Sequence, residues 1–240
     1  MAFLEHVDRF MGTGQKNKAG QELRDFLNKY DPKKYDCPSN TTDIIVVRCK
    51  ERLVRWGQPL KLLMVKRSNH PSIGFWALPG GFVELREDLY EGAKRELEEE
   101  TGVKGLPLKQ LTTWGKYDRD PRWRVITTSF LALVEGDIPV KAGDDAADAA
   151  WLDVKLEKAE TGDGTLKDEI WLLKLLQKER DLELSAKIRV RRTGHPLVSQ
   201  EDYEILSCFG RERTEKSGIA VDHGCLILQA LLYLKSELES

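Results

Sequence analysis

An unusual concentration of acidic side chains lies between residues 84 and 100 of this 240-residue chain. The segment holds eight carboxylates against three cations. The carboxylates are those of Glu84, Glu87, Asp88, Glu91, Glu96, Glu98, Glu99 and Glu100. Like charges at helical spacing repel one another, so the segment would be destabilised unless a cation lay among them. It is therefore a candidate site for a doubly charged metal ion.

The pattern predicts a helix that carries most of these carboxylates. Asp88 followed by Glu91 has the form of a capping box, and Gly102 is typical of the residue just after a helix end. An apolar stripe recurs every four residues, at Leu89, Ala93 and Leu97. We therefore expect a helix of three to four turns between residues 88 and 102.

Three glutamates share one face of this predicted helix. Glu96, Glu99 and Glu100 stand at i, i+3 and i+4, which brings their side chains together. Clustered carboxylates without cysteine or histidine are hard oxygen ligands that suit Mg²⁺ or Mn²⁺ rather than zinc. A solvated acidic face has the same pattern, so the spacing alone leaves both interpretations open.

The segment from Gly81 to Val103 resembles the Nudix box. In words, that box is Gly, five residues, Glu, seven residues, then Arg-Glu-aliphatic-any-Glu-Glu-any-Gly-aliphatic. The chain fills every fixed position, with Gly81, Glu87, Arg95, Glu96, Leu97, Glu99, Glu100, Gly102 and Val103. Residues 76–84, WALPGGFVE, also resemble the segment that usually precedes the box. On these residues the chain is identified as a member of the Nudix family.

The resemblance implies an enzyme that hydrolyses a nucleoside diphosphate linked to another moiety, with Mg²⁺ or Mn²⁺ as cofactor. By position, the metal ligands would be Glu96, Glu99, Glu100 and the backbone carbonyl of Gly81 (or of Gly80). Glu96, Glu99, Arg95 and Glu87 form the expected catalytic set, in which Arg95 and Glu87 orient the metal-binding glutamates. Glu99→Gln is expected to remove most activity and to leave the fold intact.

The general base stays open between two places in the chain. Glu96 is the candidate within the box. The segment 143–151 resembles the place where many members carry a late acidic residue, so Asp145 or Asp148 could complete the metal site or act as the base. Aspartates are also common in turns for conformational reasons alone.

Substrate choice depends on residues outside the box. The segment 114–123, with its Arg-Asp-Pro-Arg sequence, resembles the same loop in ADP-ribose- and NAD-related Nudix proteins. Arginines can bind phosphates in a bidentate manner, and aromatic rings can stack on adenine. The candidate substrate-binding residues are Arg67, Tyr117, Arg119, Arg122 and Trp123. The alternative places the tryptophans in the core and the arginines in solvent. The resemblance implies ADP-ribose, or a related ADP-sugar, cleaved to AMP and a sugar phosphate.

Two other functions remain open. The protein could hydrolyse non-standard nucleoside triphosphates and release pyrophosphate. It could also be an ADP-ribose-sensing regulator without turnover, as some Nudix-related proteins are. Those regulators usually have an eroded box and a winged-helix domain after the Nudix unit. Here the box is complete, and the last pattern is an apolar helix at residues 221–238, so we expect an enzyme.

The hydrophobic patterns fit an α/β fold, the α/β/α sandwich with a mixed sheet that the Nudix resemblance implies. Strands are expected at residues 43–48, 60–66, 75–78, 110–117, 124–134 and 149–154. We divide the chain into an N-terminal helical extension (1–36), a Nudix domain (37–158), an insertion (159–217) and a C-terminal helix that packs on the domain (218–240). Within the insertion we expect a helix at residues 165–180 and a β-hairpin.

Composition limits the partners and the location. The formal net charge of −2 argues against nucleic acid as a partner. The cationic strand with Lys187, Arg189, Arg191 and Arg192 is interpreted as the guard of a sheet edge. The sequence contains neither a run of about 18 apolar residues nor a secretory signal, so no membrane is expected and the predicted location is cytoplasmic. The resemblance implies a homodimer, for which the amphipathic segment 21–30 offers an apolar face.

Overall fold

The computed structural model describes residues 3–4, 6–143, 146–159, 168–195, 198–213 and 215–239. The chain forms two compact units, Met1–Pro38 and Ser39–Ser240. The first unit contains a 3₁₀ turn at Asp8–Phe10 and a short helix, α1, at Leu23–Lys29. Among its described residues, the predicted N-terminal helical extension therefore contains one α-helix and one 3₁₀ turn.

The second unit is built on one mixed sheet, which has eleven strands among the described residues. The strands are β1 Ser39–Cys49, β2 Lys61–Arg67, β3 Trp76–Ala77, β4 Gly80–Phe82, β5 Lys109–Trp114, β6 Val125–Glu135, β7 Ala146–Ala159, β8 Asp168–Gln177, β9 Leu182–His195, β10 Val198–Glu212 and β11 Glu215–Lys216. Two helices accompany them, α2 at Leu89–Thr101 and α3 at His223–Glu239. The strand order is β11-β10-β9-β8-β7-β2-β1-β6-β5, with β3 beside β2 and β4 beside β1.

Strand β1 is an internal strand of the sheet, between β2 and β6, and is buried on both faces. It pairs in parallel with β6 and antiparallel with β2 and β4. Because side chains alternate along a strand, Ile44 and Val46 pack with residues of α2 on one face. Ile45 and Val47 pack with residues of α3 on the other. The sheet is thus sandwiched between two helices, and a strand covered on both faces needs the continuous apolar run found here.

The predicted helix at residues 165–180 is wrong. Strand β8 occupies most of this segment and pairs antiparallel with β7 and β9. Its buried residues are Trp171, Leu173 and Leu175, at i, i+2 and i+4. In a leucine-rich run the periods of 2 and 3.6 overlap, and pairing with two neighbouring strands selects the shorter one. Strands β9 and β10 then form a long antiparallel hairpin.

The interpretation of the cationic strand as an edge guard is also wrong. Strand β9 lies between β8 and β10 and is therefore internal. Its charges are paired across the sheet: Arg189 bonds Glu204 at 3.0 Å and Arg191 bonds Asp168 at 3.3 Å. Arg192 bonds Glu201 at 2.7 Å. These arginines therefore stabilise strand pairing rather than protect an open edge.

Helix α3 is enclosed by the sheet. Its buried residues point in nearly every direction around the helix, and they are His223, Gly224, Cys225, Leu226, Ile227, Leu228, Ala230, Leu231 and Leu234. A helix that is apolar all round must be covered on all sides. The sheet coils until its flanks meet, where Trp114 of β5 packs on Tyr203 of β10 with ring centroids 5.5 Å apart. No helix among the described residues is long and apolar enough to span a bilayer.

Candidate active site

A cavity of about 410 Å³ opens where β1, β2, the β3–β4 connection, α2 and the start of α3 meet the loop between β5 and β6. It brings together seven of the residues predicted from sequence, namely Arg67, Gly80, Gly81, Glu96, Glu100, Arg119 and Arg122. The other predicted residues that the structure describes do not line it. The cavity therefore unites part of the box with the arginines expected to contact substrate.

Glu96 and Glu100 form the acidic wall of the cavity. A carboxylate oxygen of Glu100 accepts the backbone N–H of Gly80 at 2.9 Å. Burial, together with the nearby carboxylates of Glu96 and Asp43, raises the pKa of Glu100 to about 7, although this hydrogen bond acts in the opposite direction. Burial also raises the pKa of Glu96. A Cβ on Gly81 would overlap Oε2 of Glu96, so any larger residue at this position would displace the Glu96 carboxylate.

Arg95 organises the outer side of this wall. It donates two hydrogen bonds of 2.8 Å to Glu87, one of 2.8 Å to Glu96 and one of 3.0 Å to Glu99. It also donates to the carbonyl of Phe82 at 3.0 Å. The hydrogen bond from Arg95 lowers the pKa of Glu87 to about 2. Glu87 and Arg95 are eight positions apart but meet because Glu87 precedes the helix. The predicted orienting role of this pair fits the contacts.

Glu99 lies outside the cavity, unlike Glu96 and Glu100. Its side chain is 58% exposed, bonds Arg95 and does not line the cavity. Within the described ranges, no three acidic, histidine or cysteine side chains converge closely enough to hold a metal ion. The remaining donors nonetheless fit a hard divalent cation, because two carboxylates share a buried wall and burial opposes the charge of each. A cation between them would relieve that cost.

Arg67, at the end of β2, faces the acidic wall. Its Nε donates to the carbonyl of Pro71 at 2.6 Å, and burial lowers the pKa of its guanidinium group. Among the described residues, Arg67 makes no ion pair with a carboxylate within 4.0 Å, whereas Arg119 and Arg122 do. A half-buried guanidinium that lines a cavity and has no carboxylate partner among the described residues is well suited to bind an anion.

The two arginines of the β5–β6 loop are already engaged. Arg119 binds Asp222 in a bidentate manner, at 3.0 and 2.9 Å, and its side chain is only 6% exposed. Arg122 binds Asp120 in the same way, at 3.1 and 2.8 Å, and lies over the ring of Phe82. Arg119 therefore fixes the loop, while Arg122 stays at the cavity wall with its charge partly compensated.

The remaining predicted residues lie outside the cavity. Tyr117 and Trp123 are 80% and 57% exposed. For Trp114 the structure favours the alternative named above, a tryptophan in the core rather than at the substrate. Its ring packs on Tyr203, and its Nε1 donates to the hydroxyl of Ser129 at 3.3 Å. Asp148 pairs with Arg180 and does not line the cavity. Asp145 lies outside the described residues.

Three residues of the site were not predicted. Asp43 is buried on β1, where it accepts the Thr127 hydroxyl at 2.7 Å. Asp222 holds Arg119, and the Nδ1 of His223 accepts the Leu78 N–H at 2.9 Å. The sequence did contain signals for these residues. Asp43 directly precedes the apolar run of β1, and Asp222 and His223 stand at the start of the apolar helix α3. A polar residue in such a buried position needs a specific hydrogen-bond partner, which marks it as a candidate for the site.

Comparisons with known proteins agree with this geometry. The profile of the NUDIX domain matches residues 41–170, which is more than half of the chain. An ADP-ribose pyrophosphatase of Methanocaldococcus jannaschii is 45% identical over 94 residues, which cover 39% of this chain and 55% of that protein. The ADPR responsive transcriptional repressor NtrR of Acinetobacter baylyi is 38% identical over 111 residues, 45% of this chain and 42% of that protein. The chain thus spans about half the length of these curated relatives.

A solved structure extends the likeness beyond the matched domain. The MutT/nudix family protein of Enterococcus faecalis is 27% identical, with a TM-score of 0.61, over 90% of this chain and 70% of that one. The predicted mixed-sheet α/β fold is therefore confirmed. Because the domain profile covers most of the sheet, and the box it contains supplies the acidic wall of the cavity, this protein belongs to the Nudix family, whose hydrolases generally use divalent metal ions.

Proposed function

We propose that the protein is a Nudix pyrophosphohydrolase that cleaves ADP-ribose, or a close ADP-sugar, into AMP and a sugar phosphate. The observation that carries the proposal is the cavity in which two box glutamates face Arg67, which has no carboxylate partner in the part of the chain that the structure describes. A diphosphate needs both, since its charge must be neutralised and its position fixed. The names of two relatives, one a pyrophosphatase and one a repressor, both refer to ADP-ribose and support this substrate.

Glu96, Glu100 and the backbone of Gly81 would hold Mg²⁺ or Mn²⁺ beside the diphosphate. When bound, such an ion neutralises phosphate charge and makes a water molecule more acidic. Arg67 binds the diphosphate from the opposite wall, and Arg122 assists it. Glu87 and Arg95 position the carboxylates. We further propose that Glu99 leaves Arg95 to complete the ligand set.

Glu96 is the better placed of the candidate bases. Its carboxylate lines the cavity, and burial raises its pKa, which makes the carboxylate a stronger proton acceptor. Asp148 is tied to Arg180 outside the cavity. We propose that Glu96 accepts the proton of the attacking water. Tyr117 and Trp123 stay predictions for contacts with the part of the substrate that extends from the cavity.

A substrate panel with purified full-length protein tests the proposal. Protein and Mg²⁺ are incubated with ADP-ribose, NADH, nucleotide sugars, dinucleoside polyphosphates or nucleoside triphosphates (oxidised forms included), and products are separated by chromatography. AMP and ribose phosphate from ADP-ribose are the expected products. Pyrophosphate from a triphosphate would keep the chemistry of the box and reject the substrate.

The repressor relative favours a second candidate, an ADP-ribose sensor. The complete box argues for turnover, because a sensor does not need the catalytic carboxylates. Isothermal titration with ADP-ribose separates the two. Tight binding without any product in the panel would move the protein to the sensor class, and salt-dependent binding of duplex DNA would strengthen that conclusion.

Arg67→Gln is expected to raise the KM for ADP-ribose about 10- to 100-fold with a smaller change in kcat. The substitution removes a charge-assisted hydrogen bond made to substrate before and during reaction, worth about 1.5–3 kcal/mol. Arg55→Gln is the control, since Arg55 is exposed in the loop between β1 and β2 and does not line the cavity. Steady-state kinetics of both variants measure the effect, and an unchanged KM in Arg67→Gln would remove Arg67 from the site.

The homodimer and the cytoplasmic location stay predictions. The family resemblance supports the dimer, and the amphipathic segment around α1 offers a contact. Light scattering coupled to size-exclusion chromatography measures the mass in solution. A mass near that of the 27.4 kDa chain would exclude a stable dimer.

A further inference from the structure

We propose that His223 is a positioning residue that holds the glycine turn at residues 79–81 against the acidic wall, so that the cation site depends on α3. The inference rests on the proposed function, in that the cation is the one held by Glu96 and Glu100. His223 touches neither glutamate. It acts through the backbone of Leu78 and the turn that follows.

His223 supplies an acceptor for a buried donor. Leu78 lies between β3 and β4 and is only 2% exposed. Its backbone N–H donates to Nδ1 of His223 at 2.9 Å. A buried N–H that loses its acceptor costs the full free energy of desolvation, so this hydrogen bond fixes the chain just before the turn.

The turn at residues 79–81 contacts both β1 and the acidic wall. The carbonyl of Pro79 accepts the N–H of Ile44 at 2.8 Å. Gly80 then donates to Glu100 at 2.9 Å, and a Cβ on Gly80 would overlap the carbonyl oxygen of Thr42. Gly81 touches the carboxylate of Glu96. A shift of Leu78 would therefore move two glycines that contact both glutamates of the wall.

The other nitrogen of the imidazole faces Asp43. Because Nδ1 accepts a hydrogen bond, a neutral ring carries its proton on Nε2, which lies 3.7 Å from the Asp43 carboxylate. Asp43 is itself fixed by the Thr127 hydroxyl at 2.7 Å and lies 3.8 Å from Arg119. The ring is thus oriented from both sides, and its side chain is only 9% exposed.

Residues 218–220, just before α3, fix the position of His223 by pairing with β3. The N–H of Trp76 donates to Gly218 and the N–H of Ala220 donates to Trp76, both at 2.8 Å. This short parallel pairing docks the start of α3 on β3. Neighbouring Asp222 holds Arg119 instead, so two adjacent residues serve different walls of the cavity.

Two substitutions of His223 separate the two sides of the ring. The amide of His223→Asn can place its oxygen near the position of Nδ1 and accept from Leu78. The longer amide of His223→Gln places its polar atoms near Nε2 and leaves Leu78 without an acceptor. His223→Ala also lacks the acceptor and puts no long side chain into the buried site, so it serves if His223→Gln does not fold.

Direct binding of Mn²⁺ to full-length protein, followed by EPR of the free ion, is the readout. We expect His223→Gln and His223→Ala to bind Mn²⁺ about 10-fold or more weakly than wild type, as is typical for loss of an outer partner. His223→Asn should bind within about threefold of wild type. Asp222→Asn, which loosens the Arg119 loop, should bind Mn²⁺ like wild type. Circular dichroism and thermal melting verify that each variant is folded.

The outcomes distinguish this inference from the proposed function. A wild-type protein that binds no Mn²⁺ overturns the metal site, and the inference with it. Equal binding by wild type and His223→Gln overturns the inference alone. So does an equal loss in Asp222→Asn, because the effect would then belong to the start of α3 as a whole. A loss in His223→Gln that His223→Asn restores supports it.

Discussion

Replacing Glu100 with glutamine is expected to reduce the rate of ADP-ribose hydrolysis about 10³-fold and to leave the fold intact. Glutamine keeps the shape of the side chain and can still accept the N–H of Gly80, which lies 2.9 Å from the carboxylate. It lacks the charge that a divalent cation needs. A loss of about 4 kcal/mol in transition-state stabilisation corresponds to this factor. Turnover is measured at saturating Mg²⁺, with thermal melting as the test of folding.

Glu98→Gln is the matched control for Glu100→Gln. Glu98 lies on the same helix but bonds Lys104 at 3.0 Å, with half of its side chain exposed. It should retain full activity. Glu99→Gln, made alongside, should also lose most of its activity if Glu99 leaves Arg95 when metal and substrate bind. Wild-type turnover in Glu100→Gln would reject the assignment of the acidic wall.

Leu228→Ala is expected to lower the free energy of unfolding by about 2–5 kcal/mol. Leu228 is fully buried at the centre of α3, in the same apolar cluster as residues of β1, β2, β8 and β9. Truncation removes contacts on several sides at once, and a helix enclosed by a sheet cannot move far enough to fill the cavity. Urea denaturation followed by circular dichroism and tryptophan fluorescence gives the change.

Leu85→Ala is the control for this prediction, since Leu85 is 84% exposed and its loss should change stability by no more than about 0.5 kcal/mol. Circular dichroism and fluorescence should report a single unfolding transition. Helix α3 packs in one apolar cluster with strands inside the matched domain, such as β1 and β2, and with β9 beyond it. A change below about 1 kcal/mol in Leu228→Ala would mean that α3 packs more loosely than the structure shows.

Local patterns predicted the box helix and the hairpin of the insertion well, and the segment before that hairpin poorly. Helix α2 runs from Leu89 to Thr101, one residue inside the predicted limits, because its apolar stripe and its terminal glycine are encoded within the segment. Asp88 occupies the N-cap position, but its side chain makes no capping hydrogen bond, so the predicted capping box does not form. The segment at residues 165–180 has no such signals. Its strand conformation depends on pairing with β7 and β9, which a leucine-rich run alone does not reveal.

The same difference between contacts close in sequence and contacts far apart in sequence explains which residues of the site could be predicted. The pair of Glu87 and Arg95 follows from the spacing of the box, whereas the partner of Arg119 lies 103 positions away at Asp222. The resemblance of the loop made Arg119 a candidate for binding substrate, whereas in the folded protein its guanidinium group binds Asp222. Asp43 and His223 escaped prediction for the same reason, since only the folded sheet brings them together.

The enclosure of α3 has a consequence for the order in which the protein can mature. During synthesis every described strand of the sheet leaves the ribosome before α3 does. Until then the apolar face of the sheet that packs on α3 stays uncovered. The N–H of Leu78 also lacks its acceptor, the Nδ1 of His223. The nascent chain must therefore keep a large apolar surface from aggregating, and the acidic wall can reach its folded geometry only after α3 has emerged.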